Sequence, residues 1–464
     1  MRTPTSARLR RVIPVSAAIV VVLAGLPGCA TLRATVGAYE TGPHGIARPQ
    51  QRLREALARA DYTAALGWHE DDELLRELSL GVSSYYASQF GRSAAVLDSA
   101  ALLADDRITN SVSGNALALL TNDLARPYQL RRTERLFIPY YGMLAYARLE
   151  QWEDAAVEAR RLSALLAQYA ADRTDAERPT HATLHYLAGV VFERAREHDE
   201  AQVAYRLART LLPQPADSER SHGAQGEGDV LVVVERGFVA HRATQSISVF
   251  LGDADRDSLR ATDHESNSNR ASRIAERIAR GEDGPRGPHR RRPDNDDDDD
   301  EDGYWLSVSF PSVRRGDPSI GEATLLVDGA SVTNARMVSL LDDAVVADEG
   351  RERTALLARA IARAAAKYVV TKAVKDNKGD VAGSIANIGA SLLERADVRS
   401  WHLLPQEITL LRVHAAAGQR QLQLALGGDA TRIDIGPVNV RAGMVTIAAV
   451  RLWRDPATRV IAAR

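Results

Sequence analysis

From residue 51 onward, apolar positions recur at the spacing of a helix. Leu53, Leu57 and Ala60 fall on one face, and Leu74, Leu75, Leu78 and Val82 on another. The polar cluster His69, Glu70, Asp71, Asp72 and Glu73 precedes the second run and reads as a helix N-terminus, where acids complement the helix dipole. Helical periodicity continues to about residue 213 and then gives way to strand signals. Residues 230–235 are a β-branched run, and 238–251 continue as a second strand after Gly237, predicting a hairpin that opens a sheet. Residues 304–310 alternate, with Leu306, Val308 and Phe310 against Trp305, Ser307 and Ser309. Segments 321–327 and 330–337 flank Asp328-Gly329, a strong two-residue hairpin signal.

Helices return at 352–375 and, after Asn377-Lys378-Gly379-Asp380, at 381–396, which together predict a helical hairpin. Four strands close the chain at 406–414, 419–426, 430–440 and 445–453, with glycines between them, and predict a small sandwich. The fold class is therefore α+β: a helical array over 51–215, then a β-rich domain over 228–254 and 303–454 interrupted by helices at 352–396. Between its two parts lies a polar insert at 255–302. Asp294 to Asp302 reads DNDDDDDED, after Arg286 and His289-Arg290-Arg291-Arg292. Such a run has nothing apolar to bury and reads as a disordered, solvated loop. It lacks the glycine and glutamate spacing of an EF-hand, so calcium is the weaker reading.

The helical segments carry a finer pattern. Ala188-Gly189 is followed by Phe192, Ala201, Tyr205, Ala208 and Pro213, which resembles the tetratricopeptide (TPR) repeat: a small pair, an aromatic, then alanine, aromatic, alanine and a closing proline. Small residues let two helices approach, and aromatics fill the groove to the next pair. Tyr146, Trp152 and Ala155 match as a second copy, and Tyr86, Phe90 and Ala95 as a weaker third. The array is irregular, with extra sequence between copies, so a peptide-binding concave surface and simple packing against the rest of the protein are both open.

The N-terminus adds a location. Arg2, Arg8, Arg10 and Arg11 precede an apolar run over 12–26, too short to span a bilayer. Leu26-Pro27-Gly28-Cys29 follows and resembles the lipobox of bacterial lipoproteins, although Pro27 departs from the usual residue there. Residues 1–28 then form a signal peptide, Cys29 the lipidated residue of the mature protein, and 29–50 a tether broken by Gly42, Pro43, Gly45 and Pro49. That resemblance implies acyl chains on Cys29, hence a palmitate-type modification, and Ala30 in place of aspartate implies the outer membrane, facing the periplasm. Cys29 is the sole cysteine, so the mature chain forms no internal disulfide.

The order of features extends the likeness. The lipobox, the pair containing 152–160, Gly228-Asp229-Val230, and Asp397-Val398-Arg399-Ser400-Trp401 leading to Leu404-Pro405 resemble an uncharacterised family of bacterial TPR-containing lipoproteins. The resemblance implies location and architecture, with no activity attached.

Composition fits. The 464 residues suffice for two or three domains, 45% are apolar and 26% charged, and the formal net charge of −2 gives no field for nucleic acid. No G-x-S-x-G, P-loop or H-E-x-x-H occurs. His181 and His185 stand at i, i+4 with Glu193 two turns on, a spacing for zinc, but His185 also falls where the repeat places a packing residue. The expectation is a non-enzymatic scaffold with no cofactor and no metal, binding an envelope protein or peptide through the array and membrane lipid through Cys29. The alternative is an envelope hydrolase with a site between helical and β parts, marked by clustered polar residues with shifted pKa.

Overall fold

The structure is a computed structural model, and it describes residues 46–111, 127–212, 226–251, 304–316, 323–332, 335–378, 396–426, 431–453 and 458–461. Cys29, the signal segment, Pro213, the acidic insert and residues 381–395 of the second helix of the expected hairpin lie outside the described residues. The chain divides into two units, Met1–Arg52 and Leu53–Arg464. Among the described residues the first unit holds the beginning of one helix; the other helices and all the strands belong to the second.

The fold is α+β. Helices α1 (Arg48–Ala58), α2 (Tyr62–Leu66), α3 (Glu73–Tyr86), α4 (Phe90–Ser111), α5 (Arg132–Arg148), α6 (Trp152–Gln168), α7 (Arg178–Arg194) and α8 (His198–Leu211) come first. α3 pairs with α4, α5 with α6 and α7 with α8, each as a helical hairpin with a three-residue turn. The turns share one hydrogen-bond pattern. The amides of Gln89, Gln151 and Glu197 donate to the carbonyls of Ser84, Tyr146 and Phe192 at 2.9, 3.0 and 2.9 Å. Just before them, Ser88, Glu150 and Arg196 adopt φ of 63°, 57° and 65°. This is a Schellman turn with a left-handed residue, normally a glycine position. The α1–α2 turn repeats it, with Ala60 at φ 57° and the Asp61 amide on the Ala56 carbonyl at 2.8 Å.

These turns set the repeat frame and shift the third copy. Counting from the left-handed residue, Ser84, Tyr146 and Phe192 are equivalent, as are Phe90, Trp152 and His198, and then Ser93, Ala155 and Ala201. Tyr86 and Ala95 are out of frame: Ala95 is exposed and Tyr86 is buried facing the sheet. Serine serves at position 93 because its hydroxyl is satisfied, donating to the Gly81 carbonyl at 2.8 Å. Gly81 and Gly189 are also equivalent. A Cβ on Gly81 would stand 2.7 Å from Leu97, and one on Gly189 would stand 2.7 Å from the Tyr205 ring.

The strands are β1 (Glu227–Arg236), β2 (His241–Leu251), β3 (Tyr304–Arg314), β4 (Ala323–Val327), β5 (Ala330–Ser331), β6 (Ala335–Leu340), β7 (Glu407–Ala416), β8 (Gly418–Leu426), β9 (Thr431–Val440), β10 (Val445–Leu452) and β11 (Thr458–Ile461), with helix α9 (Leu341–Lys378) between β6 and β7. A five-stranded sheet runs β11-β10-β1-β7-β6, a four-stranded sheet β5-β4-β8-β9, and β2-β3 form a separate ribbon. One face of the large sheet, with Val230, Val232, Val234, Leu411, Val413 and Val450, packs on Leu325, Leu422, Leu424, Ile435 and Val438 of the second sheet, which makes a sandwich. The opposite face, with Leu231, Val233, Ile408, Leu410, Ile447 and Ala449, is continuous with the helical core. β1 is thus covered on both faces, which is why it reads as an unbroken apolar run rather than an alternating one.

Two expectations change here. Residues 230–235 and 238–251 do not form a hairpin: β1 pairs with β10 in parallel and with β7, whereas β2 pairs with β3. The intervening backbone is claimed elsewhere, since the Gly237 amide donates to the Leu452 carbonyl and the Val239 amide to the Leu404 carbonyl, both at 2.9 Å. Helix α9 starts at Leu341, well before residue 352, where Asp342 accepts from the Ala240 and Gly316 amides, and it runs through Gly350. Asp328-Gly329 does turn β4 into β5, with φ of 51° and 81°. Among the described residues no helix is long and apolar enough to cross a membrane.

Candidate functional site

Strand β1 presents Asp229, Leu231, Val233 and Glu235 to the helices, an acid at each end of an apolar pair. Each acid meets an arginine from a neighbouring strand and tyrosines from the helices.

At one end Glu235, almost fully buried, accepts hydrogen bonds from the hydroxyls of Tyr86 at 2.6 Å and of Tyr140 and Tyr141 at 3.1 Å. Arg451 of β10 stands 3.8 Å from the same carboxylate and donates to the Tyr86 hydroxyl at 3.2 Å. Its guanidinium also donates to the carbonyls of Gly237 and Leu403 and stacks 4.3 Å over Trp453. Burial, with Glu235 alongside, holds all three tyrosines well above the ordinary phenol range, so they remain donors.

At the other end Arg412 of β7 is ion-paired with buried Asp229. It also reaches both oxygens of Glu193 at 3.3 Å and the Tyr205 hydroxyl at 3.2 Å. Tyr205 donates to Glu193 at 2.6 Å. The imidazole of His414, directly across from Asp229 in the β1–β7 register, puts Nδ1 against the Asp229 carboxylate, and its side chain is 37% exposed.

The repeat residues fall around these clusters. Gly189, Phe192, Ala201 and Ala208 pack in the α7–α8 hairpin, and Tyr205 spans from the Gly189 backbone to Arg412. Ala155 is fully buried between α5 and α6, and Tyr146 donates to Asp98 of α4 at 3.0 Å. Trp152 lies at a rim, with the Arg194 guanidinium 4.3 Å over its ring. Cys29 and Pro213 lie outside the described residues. His181 and His185 are buried, and desolvation with the nearby Arg173 guanidinium pushes both down to about 4. His181 Nδ1 accepts from Arg173 Nε at 2.7 Å, and Glu193 is engaged with Arg412, so the three do not converge. No group of three His, Cys, Asp or Glu among the described residues is placed to hold a metal ion.

A cleft of about 670 Å³, counting the part open to solvent, lies where the α5–α6 turn and the end of α7 meet β10 and the β9–β10 turn. Arg148, Glu150, Trp152, Arg194 and Arg441 form its polar wall, over a floor that includes Leu144, Val445, Ile447 and Ala449. The residue types gave no sequence signal, because the arginines come from three separate elements. The two acid–arginine clusters were more visible: a lone Arg412 or Arg451 inside an apolar strand has to find a buried partner.

No family model matches this chain, and no curated protein matches it. A solved structure titled "MamA MSR-1 C2" aligns with 35% of this chain and 94% of its own at 15% identity, with a TM-score of 0.15.

Proposed function

We propose that the protein is a non-enzymatic scaffold that holds a partner protein at the bacterial outer membrane, anchored by lipid on Cys29. The observation behind this reading is where the helical hairpins spend their surfaces. The inner helices α5 and α7 are buried along most of their length against the sheet and their own partners. α8 buries only Ala201, Ala204 and Ala208. The chain's own sheet therefore occupies the face a peptide-binding array would offer, and a partner has the turn-side cleft and the outer helices. Leu149, Val157, Val203 and Leu207 are exposed there. The acid clusters support the same reading, since Arg412 and His414 occupy Asp229 and three tyrosines with Arg451 occupy Glu235.

The anchoring is tested by labelled palmitate. The parent protein should take up label and sediment with outer membranes, and a Cys29→Ser variant should do neither. Equal labelling and sedimentation of the two would reject the anchor.

One observation favours an envelope hydrolase instead: the Asp229–His414 pair, oriented as a base and its support, with part of the imidazole in solvent. Against it, Asp229 is already neutralised by Arg412, and no serine or threonine hydroxyl bonds His414 among the described residues. Hydrolysis of p-nitrophenyl acetate by the full chain that disappears in His414→Ala would favour this second reading.

A further inference from the structure

The cleft between the α5–α6 turn and β10 holds an unusual charge balance. Three guanidinium groups, of Arg148, Arg194 and Arg441, line it, and Glu150 is the carboxylate in its wall. Glu150 reaches Arg441 only at 4.0 Å, with both side chains more than half exposed. Such a pair contributes little. Arg194 is only weakly satisfied within the chain. Its Nη1 donates to the Met444 thioether at 3.1 Å, a weak acceptor, and its buried Nε has no hydrogen-bond partner among the described residues. Desolvation first, and Arg441 next, pull its pKa below the usual guanidinium value. The neighbouring carboxylate on α7, Glu193, is committed to Arg412 and Tyr205. The Arg194 guanidinium, 4.3 Å from the Trp152 ring centre in the cleft wall and bonded to no carboxylate among the described residues, can pair with an anion that enters the cleft. Beside it the floor of Leu144, Val445, Ile447 and Ala449 is apolar.

We propose that this cleft is the partner-docking site and that it binds an acidic peptide segment, with a carboxylate on Arg194 and Arg441 and an adjacent apolar side chain on the β10 floor. The proposal rests on the scaffold reading and names the chemistry of its partner. A concave site suits a chain segment better than a bilayer surface.

The test pans a displayed library of random dodecapeptides against the full chain purified in detergent. Selected peptides should carry Asp or Glu next to Leu, Ile, Val or Phe. Their affinity should fall at least tenfold when the acid is replaced by its amide, and at least tenfold for Arg194→Gln. Arg441 is exposed, so Arg441→Gln leaves the fold intact and should show the same loss. Arg432→Gln, which removes an equal charge on exposed β9, should bind as the parent does. Affinity should also weaken as salt rises, as a partly exposed charge contact does. Selected peptides without an acid, or undiminished binding to Arg441→Gln, would overturn the proposal. So would binding of phosphatidylglycerol vesicles in place of any peptide. A partner captured in cells with equal yield from Arg441→Gln would leave the scaffold standing and remove this site; no partner at all would remove the scaffold.

Discussion

Arg451→Met is the sharpest perturbation of the helix–sheet junction. Arg451 is fully buried, and methionine keeps its apolar stem while deleting the charge and the guanidinium that lies over Trp453 and Phe238. Glu235, 1% exposed, is then left with three tyrosine hydroxyls and no cation. Removing one partner of a buried ion pair costs about 3–5 kcal/mol, because the remaining charge stays desolvated. The bonds to the Gly237 and Leu403 carbonyls go as well, leaving those acceptors to be satisfied otherwise. A domain is stable by only ~5–15 kcal/mol, so the loss is a large share of the total. Adding Glu235→Gln removes the stranded charge and keeps a carbonyl to accept from the tyrosines. The double variant should therefore recover at least half of the loss. Urea unfolding followed by far-ultraviolet circular dichroism and by tryptophan fluorescence reads this out, since Trp401 and Trp453 are buried in the core that the helices and sheet share. A loss below about 1 kcal/mol, or a double variant no more stable than the single, would refute the account of the junction.

Gly189→Ala should destabilise by about 1–2 kcal/mol, the overpacking against Tyr205 outweighing the ~1 kcal/mol gain in helix propensity, because Glu193 and Arg412 pin the ring; Gly350→Ala, in open space, should stabilise by about 1 kcal/mol in the same urea assay. Arg196→Gly relieves an exposed residue held at φ 65° and should raise stability by about 0.5–1 kcal/mol despite the added chain entropy. Glu158, buried beside Asp98 and bridged by Arg161, has its pKa pushed up to about 7 from 4.5 by desolvation. The folded state therefore holds that proton more tightly than the unfolded chain. Its contribution is full below pH ~4.5 and is lost as pH rises through about 7, roughly 3 kcal/mol in all. Unfolding midpoints from pH 4 to 8 should show this decline, and Glu158→Gln should flatten it.

The helices were legible because their apolar stripes repeat at 3.6 residues, and the last hairpin because Gly189 and Tyr205 are complementary in size. The first hairpin was misframed for a physical reason. Its left-handed turn residue is Ser88 rather than glycine, and a hydrogen-bonded Ser93 stands in for alanine, so neither position announces itself. The strands were visible as apolar runs, but not their partners: β1 lies between β10 and β7, far along the chain, and local pattern cannot encode that pairing. Gly350 hid the first turns of α9, where Asp342 accepts from the Ala240 and Gly316 amides and fixes the helix start. The cleft was the least legible part, since Arg148, Arg194 and Arg441 converge only once the hairpins meet the sheet.

The scaffold itself is tested most directly by photocrosslinking in intact cells from benzoylphenylalanine placed at Leu149 or Val157, exposed residues on the α5–α6 turn and on the outer helix α6. The account predicts an adduct of defined mass with a second protein from these sites, weakened by Arg441→Gln, and none from the buried site Leu410. Crosslinks that form only within the chain, from every exposed position tried, would contradict it.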